Sequence, residues 1–237
     1  MAARTSVPIP ISHCPPEQDT EALKKVWQTI NVDSCPSVYN FHMHTLCSDG
    51  QLAPEKLMEQ ACRIGLKGMA ITDHHGINGY EIAQGWLQQV KEKQVYQSLP
   101  HLWTGVEITS ELLGTEVHIL GYGFDPEDSP LKRNYFRGHA PVGKLKSAKQ
   151  VVSALHAAGG LAVLAHPFRY RVRGEELIPV AADLGIDGLE TYYAYRSTNP
   201  WLSSPQQTEK AELLSKEYNL LRTCGTDTHG RNVMLRI

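Results

Sequence analysis

The sequence predicts an α/β fold in which a mainly parallel sheet alternates with helices. Three observations predict it. From Val38 onward, short apolar runs recur: VYNFH, GMAIT, LWTGVEI, VHILGYG, LAVLAH, DGLETYY and LLRTCGT. Segments with helical periodicity lie between several of them. At 237 residues the chain also has the length of one domain with a sizeable core. Seven strand candidates suit a small closed barrel or an open doubly wound sheet, and periodicity alone does not choose between them.

Taken in order, residues 1–37 read as an N-terminal extension and residues 38–237 as the main domain. The extension has a Pro-rich start, one short helix in TEALKKVWQTI and a turn in NVDSCPS. APEKLMEQACRIG places Pro54 near the first helical position and stops at Gly65, with Leu57, Ala61 and Ile64 on one stripe. SAKQVVSALHAAGG starts at Ser147 as an N-cap and ends on paired glycines. GEELIPVAADLG, weakened in its middle by Pro179, and SPQQTEKAELLSKEY complete the helices.

Composition excludes several classes. A formal net charge of -2 gives no basic footprint for holding nucleic acid by surface charge, although a nucleotide or a strand end fits as a substrate. No apolar run approaches the roughly 18 residues of a membrane span. The N-terminal stretch has no continuous apolar region, so no secretory signal is read there. Five cysteines without CxxC spacing read as free thiols in a reducing cytoplasm.

In parallel α/β folds the site forms where strands end, so the residues after each apolar run matter most. VYNF is followed by His42 and His44, with Asp49 in the loop. GMAIT is followed by Asp73, His74 and His75; LWTGV ends in Glu107; EVHIL carries His118. LAVLA ends in His166, and LLRTCGT in Asp227 and His229. Each has an ordinary reading by itself: His118 as a buried hydrogen-bonded histidine, Asp49 and Asp227 as turn residues. Glu107 resists one, because a carboxylate closing an apolar run is costly to bury unless paired or coordinated. Jointly they predict a metal site. Imidazole and carboxylate are donors for Zn, Mn and Fe, and residues i and i+2 of a strand share a face, so His42 and His44 can grip one ion together.

NFHMHTLCSDG, AITDHHGINGYEIA, GVEIT, EVHILGYG, LAVLAHPFRY and GTDTHG resemble, in order, the motifs of the PHP (polymerase and histidinol phosphatase) family of metal-dependent phosphoesterases. The resemblance runs from about Val38 to Gly230 and implies a distorted (β/α)7 barrel with a trinuclear metal cluster at the carboxyl ends of its strands. It implies His42, His44, Glu107 and Asp227 around a first ion. Glu107 would bridge to a second ion held with His118 and His166, and Asp49, His74 and His229 would hold a third. The divalent ions implied, up to three, are Mn, Zn, Fe or Mg. HPFRY resembles the HPGRY stretch of the family's nucleotide phosphatases, which implies that Arg169 and Tyr170 face substrate phosphate; guanidinium forks match phosphate oxygens. Three departures stand out. Asn40 replaces an acidic residue often found two before the first histidine, His75 stands where that branch often has Asp, and the branch's large helical insertion is reduced to FDPEDSPLKRNYFRGHAPVGKLK.

The expected chemistry is hydrolysis of a phosphomonoester, a nucleotide or other small phosphorylated metabolite, by a metal-bound hydroxide. His229 or His74 would protonate the leaving oxygen. A nucleic-acid end stands beside nucleotides as a substrate, and no membrane partner is expected. Two rivals stand beside this reading. An amidohydrolase-like hydrolase also uses HxH and a final Asp, but Glu107 occupies the place of its bridging lysine. A non-catalytic metal-binding module fits poorly with a complete donor set.

Overall fold

The computed structural model describes residues 14–237. The expectations for residues 1–13, including the absence of a secretory signal, lie outside the described residues. The predicted runs form the strands β1 (Tyr39–Asn40), β2 (Gly68–Ala70), β3 (His101–Trp103), β4 (Gly105–Leu112), β5 (Thr115–Tyr122), β6 (Leu161–Leu164), β7 (Gly188–Tyr192) and β8 (Leu221–Cys224). LWTGVEI is two strands, β3 and β4, interrupted at Thr104. β1–β2–β3 form one parallel sheet; β4–β5–β6–β7–β8 form the other.

The mainly parallel expectation needs one correction. β5 runs antiparallel to both β4 and β6, while β6–β7 and β7–β8 are parallel. Leu113 and Gly114 explain it: both have positive φ, 51° and 69°, as a tight two-residue hairpin requires. No crossover helix fits between strands so joined. The two sheets also touch at their ends. At one junction, Phe41 N donates to Cys224 O (3.0 Å), Asp227 N to His42 O (2.8 Å) and His44 N to Thr228 O (3.1 Å). At the other, Glu107 N donates to Asp73 O (3.2 Å) and His75 N to Glu107 O (3.0 Å).

The helices are α1 (Thr20–Trp27), α2 (Pro54–Ile64), α3 (Asn78–Glu92), α4 (Ser129–Tyr135), α5 (Ala148–Ala157), α6 (Gly174–Asp183) and α7 (Pro205–Glu217). Pro54 opens α2, and Gly65 ends it with φ 83°. Ser147 stands at the N-cap position of α5 but makes no capping hydrogen bond, and Pro179 is carried inside α6. α3, the longest helix, has no counterpart among the predicted ones, because Gly79 and Gly85 weaken its helical pattern. Gly79 is there for space: a Cβ would collide with the Asp73 carboxylate and the Thr45 hydroxyl. α1, from the segment read as an extension, is capped by Asp19 and buries Leu23 and Trp27 beside Phe41, Trp103 and Tyr122. In the shortened insertion, α4 buries Leu131 and Tyr135 in the main core. No described helix is long and apolar enough to cross a membrane.

Asn40 has a structural reason. Its Nδ2 donates to Thr226 Oγ1 (2.9 Å) and to Val233 O (3.2 Å), while its Oδ1 accepts from Thr226 N (3.0 Å). A carboxylate there could accept but not donate, and it would face the Val233 carbonyl in a fully buried place. Asn40→Asp is therefore expected to cost roughly 2 kcal/mol or more, lowering Tm by roughly 4–8 °C in a thermal melt. An unchanged Tm would show that the amide is not what ties β1 to the C-terminal segment.

Candidate metal centre

The Glu107 carboxylate lies at the middle of the site, 1% exposed. Its Oε2 is 3.0 Å from His42 Nε2, 3.0 Å from His44 Nε2 and 3.6 Å from His74 Nε2. Its Oε1 is 2.7 Å from His118 Nδ1 and 3.4 Å from His166 Nε2. His42 and His44 reach it from the run that follows β1, their two Nε2 atoms 3.2 Å apart. His118 reaches it from β5, where it stands opposite Thr109, the residue two beyond Glu107 on the same face. It therefore joins the site from the middle of an antiparallel strand and not from a strand's carboxyl end.

Asp227 divides its oxygens. Oδ1 lies 3.3 Å from His42 Nε2 and 3.2 Å from His44 Nε2. Oδ2 accepts from Tyr193 Oη (2.7 Å), Arg169 Nη1 (3.2 Å) and Arg236 Nε (3.2 Å). At the outer edge, Asp49 Oδ2 is 3.2 Å from His229 Nε2 and 3.7 Å from His74 Nε2. Asp73 holds the loop that carries Asp49, accepting from Thr45 N (2.7 Å), Thr45 Oγ1 (2.6 Å) and Ser48 Oγ (2.6 Å).

Donor atoms within 4.8 Å of one another form four groups among the described residues. These are His42, His44, Glu107 and Asp227; His44, Asp49, His74 and His229; His74, Glu107 and His118; and His42, His166 and Glu190. One has the composition of the first predicted set, and another brings the third set's Asp49, His74 and His229 together with His44. The predicted grouping of His118 with His166 is looser, the two rings meeting Glu107 Oε1 from different sides. Buried nitrogens support a cation: His44 Nδ1 and both ring nitrogens of His166 lack hydrogen-bond partners. A set of imidazoles and carboxylates with lone pairs converging in a dry place fits divalent ions.

Three side chains escaped sequence reading. Glu190 Oε1 meets His42 Nδ1 at 2.8 Å, and its Oε2 accepts from His166 N at 2.8 Å. A carboxylate beside His42 is thus supplied from β7, where it orients the ring. Its signal was present: a Glu inside GLETYY raises the same question as the one closing LWTGVE. Tyr193 and Arg236 carried no signal, since a Tyr and an Arg at such positions read as core and surface. Tyr170, expected at the substrate, turns its hydroxyl to the backbone instead, accepting from His118 N (2.8 Å) and donating to Ala165 O (3.1 Å). Arg169 stands at the edge with its side chain 45% exposed. His75 points away, its Nε2 3.1 Å from Thr109 Oγ1, and burial together with His74 lowers its pKa to about 4.

Electrostatics follow the same geometry. Burial disfavours a charged His44, but hydrogen bonds to Asp227 and Glu107 outweigh it and raise the pKa to about 9. His42 is raised for similar reasons, against burial, by Glu190, Glu107 and Asp227. Burial, aided by the neighbouring His44 against the pull of Glu107, lowers His74 to about 4. Glu107 and Asp227 are held well below the usual carboxylate range, burial notwithstanding, by the surrounding histidines.

Such a donor set on an α/β frame defines a metal-dependent hydrolase. The chain belongs to the PHP family: the model of the PHP domain matches residues 40–219. It is a metal-dependent phosphoesterase. A 5'-3' exoribonuclease of Haemophilus influenzae is 24% identical over 260 residues, covering 81% of this chain and 89% of that protein. A 3',5'-nucleoside bisphosphate phosphatase of Chromobacterium violaceum is 29% identical over 120 residues, covering 51% of this chain and 39% of that protein. A solved structure of a candidate metal-dependent phosphoesterase from Bifidobacterium adolescentis superposes with a TM-score of 0.67 at 22% identity, covering 83% of this chain and 89% of that one.

Two outcomes are expected. Metal ions bind neutral imidazole, so a cation must displace the proton that His44 holds up to about pH 9. Titrating Mn2+ into the apo-protein at pH 7 should release protons, seen as a buffer-dependent binding enthalpy, and affinity should rise with pH towards 9. Glu190→Gln should weaken binding by about 10–100-fold, measured in the same titration, because His42 loses its orienting anion. Equal affinity in wild type and variant would remove Glu190 from the site.

Proposed function

We propose that the protein hydrolyses a phosphomonoester carried by a nucleotide or by the end of a nucleic-acid strand, at a site for up to three divalent ions. The observation that supports it best is the Glu107 carboxylate, with one oxygen towards His42, His44 and His74 and the other towards His118 and His166. A carboxylate so placed suits two neighbouring cations. His42, His44, Glu107 and Asp227 would hold the first, His118 and His166 with Glu107 the second, and Asp49, His74 and His229 the third. Bound divalent ions would supply the positive charge that neutralises phosphoryl oxygens and would acidify an attacking water. Mn or Zn suits these donors better than Mg, which prefers oxygen ligands and keeps its waters.

The frame proposed for this site is a distorted (β/α)7 barrel, β3 and β4 counting as one stave. Its support is the pair of hydrogen-bonded junctions at Asp227–His42 and Glu107–Asp73. The division at residue 37 is then one of role: every proposed ligand comes from residues 38–237, while α1 contributes apolar side chains. Among the residues, His229 is the better candidate for protonating the leaving oxygen, a role open to it when its Nε2 is not committed to the third ion. Its side chain is 28% exposed, and its Nδ1 donates to Asp227 O (2.9 Å), which fixes Nε2 towards Asp49. His74 is held neutral by burial and its histidine neighbours, which suits a ligand more than an acid. Arg169, at the edge with one guanidinium nitrogen on Asp227, is placed to meet a phosphoryl oxygen. The nucleotide or strand-end substrate rests on the bisphosphate phosphatase and exoribonuclease relatives.

The test is direct. Protein reconstituted with Mn2+ or Zn2+ should release p-nitrophenol from p-nitrophenyl phosphate, and His42→Ala and Glu107→Ala should each lose more than about 100-fold in rate, beyond what an outer partner costs. Absence of turnover on this and on a panel of 5'-phosphorylated nucleotides and oligonucleotides, with any divalent metal, would overturn the reading.

A further inference from the structure

Arg236 lies seven residues beyond His229, yet its side chain is only 18% exposed. Several contacts fix the segment that carries it. His229 N donates to Arg236 O (2.8 Å), Val233 N to Gln60 Oε1 (3.0 Å) and Asn40 Nδ2 to Val233 O (3.2 Å). The guanidinium lies over the Tyr193 ring at 5.6 Å, and its Nε donates to Asp227 Oδ2 at 3.2 Å. Arg169 Nη1 donates to that same oxygen, also at 3.2 Å. Arg169 Nη1 and Arg236 Nε are therefore no farther apart than twice 3.2 Å.

One carboxylate oxygen cannot balance two guanidinium groups. Asp227 also faces His42 and His44 through its other oxygen, so its charge is shared further. Neither Nη nitrogen of Arg236 has a hydrogen-bond partner among the described residues, and neither is sealed from solvent. A guanidinium has five N–H donors in a rigid fork. What remains is a set of free guanidinium donors on the wall of the site, against the Asp227 carboxylate.

The geometry points to Arg236 as the second arm of a two-arginine clamp, with Arg169, that grips the phosphoryl group of a phosphomonoester dianion. The clamp rests on the proposed phosphomonoester reading and adds a substrate-binding residue to it. It is filled by the tetrahedral anion, whose oxygens match two forks where one carboxylate oxygen does not. Arg236 also packs on Tyr193, so its orientation is set before the anion arrives.

The full chain loaded with Mn2+ tests it, with inorganic phosphate in calorimetry and p-nitrophenyl phosphate in steady-state kinetics. Arg236→Gln should raise KM and the phosphate dissociation constant by about tenfold or more, leaving bound metal per chain at the wild-type value. Arg236→Lys should fall between the two, since it restores charge without the fork. If Arg236→Gln does not fold, the lysine variant gives the same two readouts. A folded variant with wild-type phosphate affinity and KM overturns the clamp. So does a variant whose losses track a drop in bound metal, because Arg236 would then act only by holding Asp227. A wild-type protein that turns over no phosphoester strikes at the functional reading alone. Phosphate affinity, compared between wild type and Arg236→Gln, then still decides the clamp.

Discussion

Burial of the Glu107 carboxylate is the constraint on which the rest of this structure depends. An anion taken out of water carries a cost of several kcal/mol unless it is surrounded by compensating charge. Five histidine rings supply the surroundings, and they must be delivered from four different parts of the chain. His42 and His44 come from the run after β1, His74 from the run after β2, His118 from β5 and His166 from the end of β6. The strand order is thus the means of surrounding one side chain. The tight Leu113–Gly114 hairpin matters for the same reason: it folds β5 back so that His118 and Glu107 share a face.

Delivering those rings strains the backbone locally. His75, His166 and Asp227 all have positive φ, 53°, 26° and 52°, which side-chain-bearing residues seldom adopt. Strain of this kind costs of order 1–3 kcal/mol per residue and persists where the surroundings over-determine it. Asp227 shows how. Its backbone N–H is held by His42 O, and its two oxygens point to opposite sides, towards the histidines and towards Tyr193 and the arginines. Only the strained conformation serves both. Gly225 makes room for it, since a Cβ there would meet the His42 side chain and Glu190.

What the sequence revealed divides along a physical line. Donor identity was legible, because a His or carboxylate after an apolar run has few cheap alternatives. The residues alone paired only His42 with His44, and the grouping with Glu107 and Asp227 came from the family resemblance. Orientation was not legible. Tyr170 sits beside Arg169 in the chain, but its hydroxyl serves the His118 and Ala165 backbone, a choice made by β5 passing close to it. Asn40 read as a loss, whereas donation to Val233 O requires an amide, and Glu190 supplies an anion beside His42 from a strand far away in sequence. β5 could not be seen as antiparallel from its own residues, since direction is decided by a two-residue turn and not by the strand's pattern. α3 was hidden by Gly79 and Gly85, and the reason for Gly79 is steric and not conformational.

Charge explains why the site is built in two layers. Asp49, Glu107, Glu190 and Asp227 stand within one cluster of histidines, and four carboxylates so close repel one another unless cations intervene. Divalent ions would answer that repulsion at the centre, where donor atoms converge on one another. They cannot answer it at Asp227 Oδ2, which faces away from His42 and His44, so Tyr193, Arg169 and Arg236 compensate it there. The outer layer is therefore hydrogen-bonded and guanidinium-based, whereas the inner one is imidazole and carboxylate. On the proposed reading, a phosphoryl group entering between them would meet positive charge from both, and both would recognise the phosphate and not what it is attached to. Discrimination among leaving groups must then come from elements farther out. Residues 137–139 lie at the rim, because Gly138 N donates to His75 O and brings the short segment after α4 against it beside His74, with Arg137 and His139 exposed.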